Sequence, residues 1–315
     1  MPRRVLIAKL TSLGDVLFTL PMVSDIRRHR PDLEIDWVID DTLADLPALH
    51  PGVSQIHAIP LRRLKKMPKP ERWPALRQAV KSLRQSRYEV VLDCHGMIKS
   101  AALSWLAKAE LIYGPADERL GERAARWVYD QRIVPDPALP AVQWYRMFAG
   151  LALGYQPQGL PDFGLQAVPL RGEWLPAGPY VLGFHAASKA EKCWSVESWQ
   201  AVGQQLAECG VALILPWGSP AEQGVAQAIA AAVPKAVVAP KMTVAELAGA
   251  MLGAQQVIGV DTGMTHLAES LGVPTIALYT VTDPATYHPY WNFAAHALGG
   301  NGEVPQVEEV LKLLV

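Results

Sequence analysis

The sequence predicts an α/β protein built from two Rossmann-like parallel-sheet domains facing across a cleft. Short, continuous apolar runs alternate with helix-period segments almost from end to end. Runs that are apolar on both faces belong to parallel sheets covered by helices on each side. The 315 residues exceed one small core. A Gly/Pro-rich stretch without period, residues 154–179, divides the chain near its middle.

In the first half, the Val/Ile/Leu-rich runs at residues 4–8, 34–39, 55–59, 89–94 and 110–114 read as strands, and residues 16–30 and 72–86 as amphipathic helices. The second half repeats the pattern. Strands are expected at 180–185, 211–217, 235–239, 256–260 and 274–280, with helices at 195–210, 219–233 and 243–254 between them. Thr243 followed by Glu246 is a capping box. The expected organisation is a domain over residues 1–155, a linker over 156–178, a second domain over 179–300 and a short amphipathic helix over 301–315. That last helix could pack anywhere, although in two-domain α/β proteins a last helix often crosses back to the first domain.

Composition narrows the function classes. Half the residues are hydrophobic and the net charge is −1, which fits a globular protein and not a strongly basic nucleic-acid binder. Cys94, Cys193 and Cys209 lie far apart without a C-x-x-C pair, so neither a paired disulfide framework nor a spaced zinc site is expected. Lys9 and Asp15 interrupt the first apolar run before it reaches signal-peptide proportions. With no uncharged apolar segment of membrane-spanning length, the expected location is the cytoplasm.

Three segments carry candidate chemistry. In residues 260–280 an apolar strand ends at Asp261, Thr262 and Gly263, and a helix follows. A helix start offers unpaired N–H groups and a partial positive charge to an anion such as a diphosphate. Gly263 lets a ligand approach the backbone, and His266 falls in the first turn. The spacing fits equally an N-capping Asp–Thr pair with a packing glycine. The first strand leads not into G-x-G-x-x-G but into K-L-T-S-L-G-D (9–15), which argues against a nicotinamide or flavin enzyme. Asp15 there is either a general base on an incoming hydroxyl or a helix cap. After residue 184, Ala186, Ala187 and Ser188 make room for a bulky anion within reach of Lys189 and Lys192, whereas Trp194 and Trp199 read as core and His185 as a satisfied core histidine.

Residues 61–88 hold ten Lys/Arg against one acid, Glu71. Half lie on the helical segment and read as its solvated face. Arg62, Arg63, Lys65 and Lys66 precede it and read as an exposed, mobile basic lip for an anionic acceptor or an anionic membrane surface.

The ordered blocks K-L-T-S-L-G-D-V, D-C-H-G-M-I-K-S-A-A-L (93–103), H-A-A-S-K-A-E-K-C-W (185–194), L-P-W-G-S-P-A-E (215–222), P-K-M (240–242) and D-T-G-M-T-H-L (261–267) resemble the lipopolysaccharide heptosyltransferases of glycosyltransferase family 9. The likeness spans residues 4 to about 285 and is greatest to members that add the first inner-core heptose. It implies a GT-B fold and an inverting transfer by direct displacement. The chain contains no D-x-D, and Lys192 with the helix amides at 262–263 could replace a metal as the counter-charge of a diphosphate, so neither a metal nor another cofactor is expected. The implied donor is ADP-L-glycero-D-manno-heptose and the implied acceptor Kdo2-lipid A at the cytoplasmic face of the inner membrane. By motif position, Asp15 matches the base, with Ser12 and Gly14 beside it on the acceptor side. Ser188 and Lys192 match diphosphate and sugar contacts, Glu222 the ribose contact and Met242 the adenine wall. Asp261, Thr262, Gly263 and His266 match the sugar–diphosphate end. A monomer is the family expectation.

The chain departs from the family pattern at Ala187, where a hydroxyl residue is common, at Val142, where His is often seen, and in Y-T-V-T-D-P (279–284), which lacks the usual Gly-Pro. These departures touch specificity more than reaction class. The alternatives are a family 9 transferase for another step, such as the second heptosyl transfer, or a non-catalytic nucleotide-sugar or lipid A binding protein.

Overall fold

A computed structural model of the chain describes residues 3–64, 66–116, 121–287 and 289–314. The chain divides into two units, Met1–Gln166 and Ala167–Val315.

The first unit runs β1 (Arg3–Ala8), α1 (Leu13–His29), β2 (Leu33–Asp40), α2 (Asp45–Ala48), β3 (Val53–Ile59), α3 (Leu61–Leu64) and α4 (Lys69–Leu83). It continues β4 (Val90–Asp93), α5 (Ile98–Leu106), β5 (Leu111–Pro115), β6 (Gln131–Ile133) and α6 (Ala141–Leu153). The second unit runs β7 (Tyr180–Phe184), α7 (Val196–Glu208), β8 (Ala212–Leu215), α8 (Pro220–Ala230), β9 (Val237–Val238) and α9 (Val244–Gly253). It ends β10 (Gln256–Val260), α10 (Gly263–Ser270), β11 (Thr275–Tyr279), β12 (Ala295–Gly299) and α11 (Val307–Leu311).

All strand pairs of both sheets are parallel. The orders are β3-β2-β1-β4-β5-β6 and β12-β11-β10-β7-β8-β9. Counted from each unit's first strand, both read 3-2-1-4-5-6, the dinucleotide-fold order. The expected strands are present because their apolar runs are covered on both faces: β4, β7, β8, β10 and β11 are buried along their whole length. The edge strands β6 and β12 escaped sequence reading, since both are partly exposed and carry no continuous apolar run.

Residues 154–179 contain neither helix nor strand, as expected of a linker. They are nevertheless pinned to the unit each part belongs to. Gln166 N–H donates to Leu49 O at 2.8 Å, and Leu170 N–H to Gly249 O at 3.1 Å. In the first unit the anchor is Arg146 on α6, which is 1 % exposed. Its guanidinium grips Asp25 of α1 at 2.7 and 3.1 Å and donates to the Gln158 and Gly159 carbonyls, each at 3.0 Å. Removing one partner of a buried pair strands the other charge, so Arg146→Ala is expected to cost roughly 3–5 kcal/mol of stability. A lower denaturant midpoint at unchanged slope would register it; an unchanged midpoint would show the pair to be dispensable.

The C-terminal helix is seated on the second unit. α11 packs against α7, with Val310 fully buried in the cluster that holds Trp194, Trp199 and Leu206. Trp194 Nε1 donates to Pro305 O at 2.9 Å and Gln256 Nε2 to Leu313 O at 2.9 Å. The second unit's own apolar surface and hydrogen-bonding groups therefore hold the segment. Trp194 and Trp199 meet edge-on at 5.8 Å, core residues as expected.

Candidate functional site

In each open sheet the strand order reverses beside the unit's first strand, and ligands of such folds bind at the carboxyl ends there. The candidate residues sit at these two reversals, between β1 and β4 and between β7 and β10.

In the first unit, Ser12 is the N-cap of α1, and Gly14 and Asp15 lie in its first turn. Asp15 Oδ2 accepts the Ser12 N–H at 3.1 Å and the Ser12 hydroxyl at 2.7 Å. Its Oδ1 is 3.8 Å from Lys9 Nζ and accepts from the Tyr145 hydroxyl at 3.4 Å. Asp15 thus caps the helix and still offers its carboxylate outward, the side chain being 46 % exposed. Lys9 is 5 % exposed and donates to Tyr145 Oη at 2.7 Å and to Cys94 O at 3.4 Å. Burial lowers the Lys9 pKa despite Asp15 beside it. Burial pushes Asp15 upward, but Lys9 and the two Ser12 hydrogen bonds outweigh it and leave the carboxyl below its ordinary value. It is an ionised acceptor at neutral pH.

Beside this loop a cavity of about 540 Å³ is lined by Thr11, Asp40, Arg62, His95, Lys99 and Glu122 among others. Burial, then the Lys9 charge, lowers the His95 pKa to about 4, so the ring is neutral. Arg62 and Arg63 do not form a loose lip. They lie on the helical turn α3, tied back to the end of β2. Asp40 Oδ2 accepts the Arg62 N–H at 2.9 Å, and Asp41 Oδ2 accepts Arg63 Nε at 2.6 Å. The two acids that close β2 are the physical reason. Lys66 follows the turn and is exposed; Lys65 lies outside the described residues.

In the second unit, a pocket of about 310 Å³ gathers Ser188, Glu222, Met242 and Thr262 with Ala187 and Trp217. Four chain segments far apart in sequence supply these walls. Glu222 sits in the first turn of α8, where its Oε2 accepts the Gly218 N–H at 2.7 Å. The Trp217 indole is held by donation to Ala239 O at 2.7 Å.

Next to the pocket, Lys192, Asp261 and His266 form one charged cluster. Lys192 Nζ donates to Asp261 Oδ2 at 2.6 Å, as does the Thr282 hydroxyl at 2.6 Å. His266 is 4 % exposed. Its Nε2 lies 3.5 Å from Asp261 Oδ1 and its Nδ1 2.8 Å from Glu269 Oε2. Burial disfavours the imidazolium, but carboxylates on both ring nitrogens raise its pKa to about 9. Asp261 is driven the other way: burial raises it, yet His266, Lys192 and Thr282 together hold it well below the carboxylate range. Thr262 caps α10 and Gly263 is its first residue. Gly259 lets that helix start close over β10, since a Cβ there would collide with the Thr265 hydroxyl.

The family model for glycosyltransferase family 9 (heptosyltransferase) matches residues 76–313. The chain belongs to this family. The family 9 chain is 32 % identical over 299 residues to lipopolysaccharide heptosyltransferase 1 of Pseudomonas aeruginosa, covering 93 % of this chain and 83 % of that one. Against lipopolysaccharide heptosyltransferase 1 of Escherichia coli K12 the identity is 32 % over 289 residues, covering 91 % of each. Two solved structures match it closely in fold and at 30 % identity, with 98 % of both chains covered. They are E. coli heptosyltransferase WaaC with ADP, at TM-score 0.87, and with ADP-2-deoxy-2-fluoro heptose, at 0.84. The GT-B-type architecture and the glycosyltransferase class follow.

Sequence reading of this heptosyltransferase missed Lys9, Tyr145, Trp217, Glu269 and Thr282. Glu269 alone had a local signal, its i,i+3 spacing from His266. Tyr145 is 130 residues from Asp15 and only the fold joins them. Two of the three family departures lie at the second-unit site: Ala187 lines the pocket, and Thr282 of the 279–284 segment bonds Asp261. Val142 is buried on α6.

Proposed function

We propose that the chain transfers L-glycero-D-manno-heptose from ADP-L-glycero-D-manno-heptose to a Kdo hydroxyl of Kdo2-lipid A, with inversion and without a metal. The observation that carries this reading is the second-unit pocket. One cavity collects a serine hydroxyl, a carboxylate, a thioether and a helix start beside a lysine, in a chain 30 % identical to an E. coli enzyme solved with ADP.

Each residue has work that suits its chemistry. Met242 and Trp217 supply apolar walls for a base, Glu222 an acceptor for ribose hydroxyls, and Ser188 and Thr262 donors for phosphate oxygens. Lys192 pairs with Asp261 through one N–H, which leaves two of its three donors for a diphosphate. With the amides at the start of α10, it offsets the charge of departing ADP, the work a cation would otherwise do. Asp261, with His266 behind it, holds the sugar–diphosphate end. Asp15 takes the proton of the attacking hydroxyl as that oxygen displaces ADP from the anomeric carbon, with Ser12 and Gly14 beside it. Arg62, Arg63, Lys65 and Lys66 meet acceptor carboxylates and phosphates.

Among the described residues no helix is long and apolar enough to cross a membrane. In this reading the lipid-linked acceptor is met at the cytoplasmic face by peripheral contact, and the enzyme works as a monomer.

The test is ADP release from ADP-L-glycero-D-manno-heptose, with and without Kdo2-lipid A, in EDTA. Acceptor-dependent release is expected. Release only after a divalent cation is restored would overturn the metal-free mechanism, and donor binding without release would overturn the acceptor. Lys192→Ala should weaken donor binding by about 10- to 100-fold, the loss of a charge-assisted contact to phosphate. Calorimetric titration with ADP checks this, and unchanged affinity would remove Lys192 from the diphosphate.

A further inference from the structure

We infer that the first unit carries a membrane-docking face, built from the outward sides of α4, α5 and the 3-10 turn Arg123–Val128, which anchors in an anionic bilayer through Trp73, Trp105 and Trp127. The inference deepens the lipid-linked acceptor reading above and rests on it for the identity of the lipid surface.

The topology puts these three elements on one side of one sheet. The crossovers β3 to β4, β4 to β5 and β5 to β6 all step in the same direction across the strand order. Right-handed connections then place their helices on the same face. Side chains lace them together: Arg84 Nε donates to Leu106 O at 3.0 Å, joining α4 to α5. The Ile98 N–H donates to Glu122 Oε2 at 2.7 Å, joining α5 to the segment that opens the 3-10 turn.

Each element buries one side and turns the other to solvent. On α4 the buried residues are Ala79 and Leu83, and the exposed stripe is Trp73, Arg77, Lys81 and Arg84, at helical spacing. On α5, Ser100, Ala101, Leu103 and Ser104 face inward, and Ile98, Ala102 and Trp105 outward with Lys99 beside them. On the turn, Ala125 is buried and Arg123 and Trp127 are exposed. The indoles are 74 %, 65 % and 87 % exposed, and Ile98 51 %. Nothing in the core needs them there, and leaving large apolar rings in water is unfavourable.

Charge selects the occupant. Glu71 is the one carboxylate in these three elements, against a run of exposed cations, in a chain whose net charge is −1. Exposed indoles interspersed with Lys and Arg suit a headgroup layer. The rings settle at the level of the glycerol backbone, and the cations meet lipid phosphates, each worth roughly 1 kcal/mol near an anionic surface. An acidic soluble protein would satisfy the cations but not the three exposed indoles.

The experiment uses the full chain with vesicles of phosphatidylethanolamine and phosphatidylglycerol, and with vesicles of phosphatidylcholine alone. Co-sedimentation and quenching of tryptophan emission by brominated acyl chains are the readouts. The wild type is expected to partition onto the anionic vesicles with quenched emission and to stay off the neutral ones. The variant W73A/W105A/W127A, altered only at exposed positions and checked by its unfolding midpoint, should partition about tenfold less or weaker still. Equal partitioning of that variant, unquenched emission, or no preference for anionic lipid would each overturn the face. Transfer assays separate this result from the reaction itself. The variant should match the wild type on detergent-dispersed Kdo2-lipid A and fall behind on vesicle-embedded acceptor. Should the wild type transfer to neither form, the proposed reaction falls while the partitioning result still decides the docking face.

Discussion

Asp15→Asn should lower turnover by about 10²- to 10⁴-fold while the affinity for ADP-heptose stays at the wild-type value. The amide keeps the shape and one oxygen for the Ser12 hydrogen bonds, so the first turn of α1 is retained, but it cannot take a proton. The proposed donor contacts belong to the second unit, which explains the expected split between kcat and donor binding. A proportional loss of donor affinity, or of thermal stability, would show that the residue serves only as the cap its Ser12 contacts already make it. The pH profile adds an independent check. Lys9 and Ser12 hold the Asp15 carboxyl below its ordinary value against the opposing effect of burial. Activity should therefore persist on acidification past the usual carboxylate range and fall only below it. Lys9→Met removes the nearest cation, so the acid limb should move to higher pH. A limb that stays in place would mean that another group governs it.

Breaking the His266–Glu269 contact should produce the largest stability change in the second unit. The side chains of His266 and Glu269 are both buried, with 2.8 Å between the ring and the carboxylate. Glu269→Leu leaves the imidazolium with Asp261 alone, and loss of a buried partner costs roughly 3–5 kcal/mol. The sign of the pH dependence follows from the raised pKa. A histidine of about 9 in the folded chain and 6.5 in the unfolded one stabilises the fold fully below pH 6.5. That stabilisation, a few kcal/mol at roughly 1.4 kcal/mol per unit, is lost as the pH rises through about 9. Asp261, lowered in the folded state, contributes in the opposite sense: its stabilisation is present above the ordinary carboxylate value and lost in acid. Denaturant midpoints should therefore fall on both flanks. In Glu269→Gln the alkaline fall should begin at lower pH, and the His266 ring resonance should titrate nearer to neutrality. Wild-type titration in that variant would show that Asp261 alone sets the charge. For function, a permanently charged His266 would keep Asp261 oriented across the working pH range.

Much of the fold was legible because its strands are buried on both faces. An apolar run such as Val257–Val260 needs no partner to be recognised, and helix starts such as Thr243–Glu246 announce themselves through capping chemistry. The edges were not legible: β6 and β12 gain their pairing from a neighbouring strand and not from their own side chains. The seat of the C-terminal segment stayed open for a related reason, since an amphipathic helix specifies that it packs but not on what. The basic stretch 62–66 read as a mobile lip because Asp40 and Asp41, which tie down Arg62 and Arg63, lie more than twenty residues upstream.

The site divides along the same line. Sequence alone determined the two parallel-sheet units, the turns that carry Asp15, Lys192 and Asp261, and the family, because ordered motifs and periodicity are local properties of the chain. Tertiary structure alone decided what those residues do to one another. It set Lys9 and Tyr145 against Asp15, folded Glu269 and Thr282 around the Asp261 cluster, brought Trp217 to the pocket, and turned three tryptophans outward on one layer of helices. Charge, protonation and exposure depend on distance through space, and residues 130 apart in the chain become neighbours only when α6 packs against α1.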